Sequence, residues 1–175
     1  MSARRAGGFT LLELVVVVIA VGVLAGVALD RLLPLVGRAQ RVAFMQVKSE
    51  LQSALLLEAA NRITKGESAT LTELAGTNPM ALLLKAPGNY LGEFAAPPAA
   101  GVPRHAWYYD PARARLVYRV GRYTRFEPLD GPPDRIELAV NLVYRDRDGS
   151  GAYEHGRDDF EGLRLDAVSA YRWPD

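Results

Sequence analysis

The chain has 175 residues, with 21 basic and 20 acidic side chains, a net charge of +1 and no cysteine. So even a balance leaves no excess charge for sequence-independent phosphate binding, and no nucleic-acid partner is expected. Without disulfides, a domain outside the cytoplasm must rest on packing, with a metal as the one further staple, and the length suits one modest domain plus an anchor.

The chain opens on Arg4 and Arg5, then Gly7-Gly8-Phe9-Thr10-Leu11-Leu12-Glu13-Leu14, then Val15-Val16-Val17-Val18-Ile19. From Phe9 to Leu29 the only charged residue is Glu13. A helix of that length spans about 31 Å, roughly one hydrocarbon core. The arginines ahead of it hold the leader in the cytoplasm and send the rest outward. A carboxylate inside such a helix costs about 2.5–3.5 kcal/mol to insert, which marks Glu13 as functional.

This arrangement resembles the type IV pilin and type II secretion pseudopilin superfamily. The resemblance implies a leader, residues 1–8, cut after Gly8 by a prepilin peptidase, with N-methylation of the new terminal Phe9. It also implies an assembly role for Glu13, the fifth residue of the mature chain, paired with the terminal amine of a neighbouring subunit. Neutralising its own helix start is the other role open to Glu13. Two plainer readings of the apolar segment stay open. One is a secretory signal whose small-residue site is imitated by Ala25, Gly26 and Ala28; the other is a simple single-pass anchor. Neither accounts for Gly8-Phe9 or for Glu13.

Beyond Asp30 and Arg31 the apolar positions continue through Leu32, Leu33, Leu35, Val36, Ala39, Val42, Ala43, Val47, Leu51, Ala54 and Leu55, with spacings of three and four dominant. One helix is expected from Phe9 to about Arg62, apolar all round at first and on one stripe later. Arg41, Lys48, Gln52 and Glu58 are expected to face away from the core. Gly22 and Gly26 form a Gly-x-x-x-Gly pair that would permit close helix packing, or are simply common membrane-helix glycines. Pro34 predicts a kink.

Thr64–Arg104 is loop-rich. Asn78-Pro79 reads as an N-cap and first turn of a short helix Pro79–Lys85. Ala95–Pro103 is a spacer or a packed loop. Trp107-Tyr108-Tyr109 reads as a strand, Asp110-Pro111 as a turn and Leu116–Val120 as the return strand. In Arg135–Arg145, Ile136, Leu138, Val140, Leu142 and Tyr144 alternate onto one face. A last strand begins at Leu163 and ends near Trp173. The expected fold is α+β, a long N-terminal helix packed on a C-terminal antiparallel sheet, with residues 9–37 as transmembrane and filament-core helix and 38–175 as the globular domain. It is also the pilin-like architecture that the resemblance implies.

Asp146-Arg147-Asp148-Gly149-Ser150 has oxygen side chains at alternate positions, then glycine, as at the start of a calcium loop. Asp146, Asp148, Ser150 and Glu154 fall at its first, third, fifth and ninth positions. Arg157 stands where a closing glutamate is expected; Asp158 and Asp159 are close but out of that register, and Asp158 joins the candidate ligands. A tight hairpin turn explains the same residues. The resemblance raises calcium as a cofactor, because major pseudopilins hold it in a loop near the C-terminus. Tyr108, Tyr109, Tyr118, Tyr123 and Tyr144 suit either an adhesive aromatic surface or core and cross-strand pairs.

No nucleophile elbow, phosphate loop or zinc spacing is present, and His105 and His155 lie far apart. A structural subunit is expected, not an enzyme. It would be anchored in a bacterial inner membrane, with its domain in the periplasm, and carried into a pseudopilus or pilus-like filament. Its partners would be the prepilin peptidase, copies of itself or other pilins, and an inner-membrane assembly platform. The alternative is a minor pilin at the filament tip that binds secreted protein, a surface or DNA.

Overall fold

The structure, a computed structural model, describes residues 10–95 and 101–174. Helix α1, Leu11–Thr64, is 54 residues long, about 81 Å at helical rise. Thr10 caps it: its Oγ1 accepts the Glu13 N–H at 3.2 Å. The N-terminal part is long and apolar enough to cross a membrane. Between Leu11 and Val36 every residue but Leu33 is exposed in the single chain. α1 continues through Pro34 without a break. A proline costs a helix one backbone bond, and long flanking runs on both sides keep the element intact here.

From Gly37 onward one stripe of α1 is buried: Gly37, Phe44, Leu51, Leu55 and Ala59. These positions recur at the spacing of a single helical face. They rest on a five-stranded sheet of order β1-β2-β3-β5-β6, made of Tyr90–Glu93, Trp107–Asp110, Arg115–Arg119, Arg135–Arg145 and Asp159–Ala167. Two short strands, β4 (Glu127–Pro128) and β7 (Tyr171–Arg172), pair beside it. The chain is therefore α+β, as expected.

The sheet is mixed, not purely antiparallel. β1 runs parallel to β2, while β2–β3, β3–β5 and β5–β6 are antiparallel. Pro87-Gly88 turns the chain into β1, and the segment that follows must cross back before β2, so the two strands point the same way. Val102 from that segment is buried with Ala106, Tyr108 and Val117 on the sheet face away from α1. Ala95–Pro103 thus packs at its described end; residues 96–100 lie outside the described part.

Three other elements differ in extent. The short helix is a 3₁₀ turn, Pro79–Leu82, with Asn78 Oδ1 accepting the Met80 N–H. β6 begins at Asp159, with a register shift opposite Val143 and Tyr144. The expected last strand then breaks before Tyr171, where the Ala170 N–H turns to Asp130 Oδ1.

The core centres on Phe44. Its ring stacks on Trp107 at 5.3 Å with planes 2° apart, and meets Tyr118 at 5.1 Å and Trp173 at 5.4 Å. Such offset aromatic pairs are worth about 0.5–1.5 kcal/mol beyond the area they bury.

Candidate functional site

Gly8 and Phe9, the expected processing junction, lie outside the described residues. Glu13 lies in the first turn of α1, exposed, with no ion-pair partner among the described residues. Its backbone is held by Thr10, a Thr-x-x-Glu spacing that suits a helix start. The carboxylate itself stands alone on a surface otherwise free of charge up to Asp30.

The β5–β6 loop gathers three carboxylates. One oxygen each of Asp146, Asp148 and Asp158 lies within 4.8 Å of the others. Asp146 Oδ1 accepts the Gly149 N–H at 2.7 Å and Oδ2 the Gly151 N–H at 2.9 Å. The Gly151 N–H, helped by Gly149, holds the Asp146 carboxyl below its usual range. Both glycines have positive φ, 74° and 77°, which lets the backbone wrap around the carboxylate. Asp148 Oδ1 accepts the Ser150 N–H at 3.0 Å.

Asp158, just past the closing position of the expected motif, is the buried member. Its oxygens accept the N–H groups of Arg147 at 3.0 Å and Glu154 at 2.8 Å, tying both limbs of the loop together. Glu154 and Ser150, expected as ligands, are engaged elsewhere. Glu154 Oε2 pairs with Arg157 at 2.6 Å, and Ser150 Oγ donates to the Ala152 carbonyl at 2.9 Å. Arg157 also stands 3.9 Å from Asp148. The donor set is hard oxygen, which suits calcium in kind. Asp146, Asp148 and Asp158 are the residues that fit it, and the nearby guanidinium weakens the field an ion would meet.

Two features where α1 meets the domain escaped sequence reasoning. Gly37 lies against the Tyr123 backbone so closely that a β-carbon there would run into the carbonyl. Gly121 lies in the same way against His105 and Gln40. Together they clamp the segment 121–125 onto α1. The signal available was Gly37 itself, because a mid-helix glycine costs about 1 kcal/mol against alanine and asks for a packing reason. The expected aromatic surface is mostly core: Tyr108, Tyr109 and Tyr118 are buried, whereas Tyr123 is exposed and Tyr144 packs edge-on to Tyr153. Burial pushes the Tyr118 hydroxyl up to about 12.

These features define a class by shape: a long N-terminal apolar helix on a C-terminal sheet, which is pilin-like. No protein-family model, curated protein or solved structure matches the chain.

Proposed function

We propose that the chain is a structural subunit of a type II secretion pseudopilus or type IV pilus-like filament, anchored by α1 and not an enzyme. The observation that carries this is the exposed apolar segment of α1 from Leu11 to Leu29, which the domain does not cover. Leu35 and Val42 extend it on the side opposite Gly37 and Phe44, where Val42 keeps 64% of its surface; past Val42 that side turns polar with Gln46, Ser49 and Ser53. An uncovered apolar helix of membrane length suits side-by-side packing of helices in a filament core.

Glu13 supports the same reading. An unpaired carboxylate in an apolar medium is costly, so the terminal amine of a neighbouring subunit would set axial register strongly. Its presence suits a place within the filament more than at its tip. Calcium, if used, would be structural, held by Asp146, Asp148 and Asp158 and supplying positive charge that draws the β5–β6 loop together.

The test is expression with a full set of filament components, followed by shearing and membrane fractionation. Mass spectrometry of the mature chain should show N-methylated Phe9 at its start, and Glu13→Ala should insert normally but yield no filaments. A start near Ala28 or an intact leader beside an active peptidase would overturn the processing part. Normal filaments from Glu13→Ala would overturn the pairing.

A further inference from the structure

We infer that the recess where α1 leaves the bilayer holds the headgroup of a phospholipid from the leaflet facing the globular domain. The inference rests on the anchor reading of α1. The recess, about 290 Å³, lies between α1 and the clamped segment 121–125. Arg38, Arg122 and Arg125 line it, and none has an ion-pair partner among the described residues. Guanidinium groups bind phosphate oxygens in pairs of parallel hydrogen bonds, and arginine is the residue most used for it.

The arginines are positioned, not merely near. Arg38 follows Gly37, whose lack of a side chain lets the Tyr123 carbonyl approach α1. Arg122 and Arg125 leave the same short segment, closed by the Thr124 hydroxyl donating to the Gly121 carbonyl at 3.0 Å. Leu33, Pro34 and Trp173 are among its other walls, an apolar part of the lining suited to a glycerol backbone and the first methylenes of an acyl chain. Asp30 adds one negative charge at the lip, suited to the ammonium of an ethanolamine headgroup.

The height agrees. Thr10 to Leu29 fills about one hydrocarbon core, and Asp30 to Pro34 covers about the next 6 Å. The headgroup layer is roughly 5–8 Å deep on each side. A second copy of the helix at the same height is a poorer occupant, because it would bring Arg31 and Arg38 against three arginines with only Asp30 to offset them.

The experiment reconstitutes the full chain into nanodiscs of phosphatidylethanolamine and phosphatidylglycerol, then counts retained lipids by native mass spectrometry after gentle release. The unaltered chain should retain one phospholipid. R122A/R125A should retain it about tenfold less, with an unchanged melting temperature, since both side chains are exposed. R113A, on the β2–β3 turn, should behave as the unaltered chain. Equal retention by R122A/R125A overturns the inference, as does displacement of the lipid by millimolar inorganic phosphate, which would make a soluble anion the occupant. A chain that fails to enter the nanodisc overturns the anchor reading as well. Entry without a retained lipid overturns the headgroup site alone.

Discussion

Gln52 on α1 and Leu165 on β6 are joined as a strand pair would be. The Gln52 Oε1 accepts the Leu165 N–H at 2.9 Å, while its Nε2 donates to the Leu163 carbonyl at 2.7 Å. β6 is an edge strand, and one helix side chain thus satisfies an outward donor and an outward acceptor at once.

Gln52→Ala should therefore destabilise the domain by about 1–3 kcal/mol, because it strands two half-buried backbone groups. Urea unfolding of the full chain in detergent, followed by tryptophan emission, would measure it. A change within about 0.5 kcal/mol, ordinary for a surface site, would reduce the contact to an incidental one.

Gly37→Ala and Gly26→Ala should separate cleanly. At Gly37 the added methyl meets the Tyr123 backbone, so the segment 121–125 must shift or the helix must move, at about 1–3 kcal/mol. At Gly26 nothing lies within 4 Å, and better helix propensity makes the change neutral or favourable to the single chain. Parallel thermal melts would show the difference; equal melts would deny the clamp.

Much of this was legible. The α1 pattern, the Trp107–Tyr109 and Leu116–Val120 hairpin and the alternation of Arg135–Arg145 all reach the core face they imply, because period and burial agree there. β1 was not legible: Tyr90–Glu93 is four residues with a glycine inside, and its strand state comes from pairing with β2. Gln52 was misplaced on the solvent side for a related reason. A polar residue beside an apolar stripe reads as exposed unless an edge strand needs it, and only the tertiary fold supplies that edge. Of the acidic loop, Asp146 and Asp148 followed from motif spacing. Asp158, a candidate outside the motif's register, joins the cluster through the return limb into β6, while Glu154 at the ninth position pairs with Arg157 instead.

Acid should weaken the fold through His105. Burial, then the charge of Arg104, lowers its pKa below the ordinary 6.5. The neutral ring accepts from Gln40 Nε2 at 3.1 Å. The folded value is below the unfolded one, so the stabilising effect is complete above about pH 6.5 and declines as pH falls toward the folded value. Unfolding free energy against pH should show that decline, and His105→Asn should remove this part of it. An identical slope in the variant would place the acid sensitivity elsewhere.

Calcium should raise the melting temperature of the full chain over that in chelator if the Asp146–Asp158 loop holds it. Binding to the folded state alone adds about 2.7 kcal/mol at a hundred times Kd. With Arg157 beside the cluster, weak binding in the range of about 10⁻⁴–10⁻³ M is expected. Asp148→Ala should abolish the difference. Asp110→Ala should lower both melts, because Asp110 Oδ1 accepts the Ala112 N–H at 3.0 Å in the β2–β3 turn, yet keep the gap between them. Identical melts with calcium and chelator would leave the loop a hairpin turn.

The placement of Trp173 against Phe44 bears on how such a chain is made. If α1 anchors the chain as proposed, threading outward through a membrane delivers Phe44 early and Trp173 late. The aromatic core is then half-built for most of the crossing, with Trp107 and Tyr118 arriving between. On that reading closure waits on the segment beyond β6, and the aromatic core completes only once Trp173 has crossed.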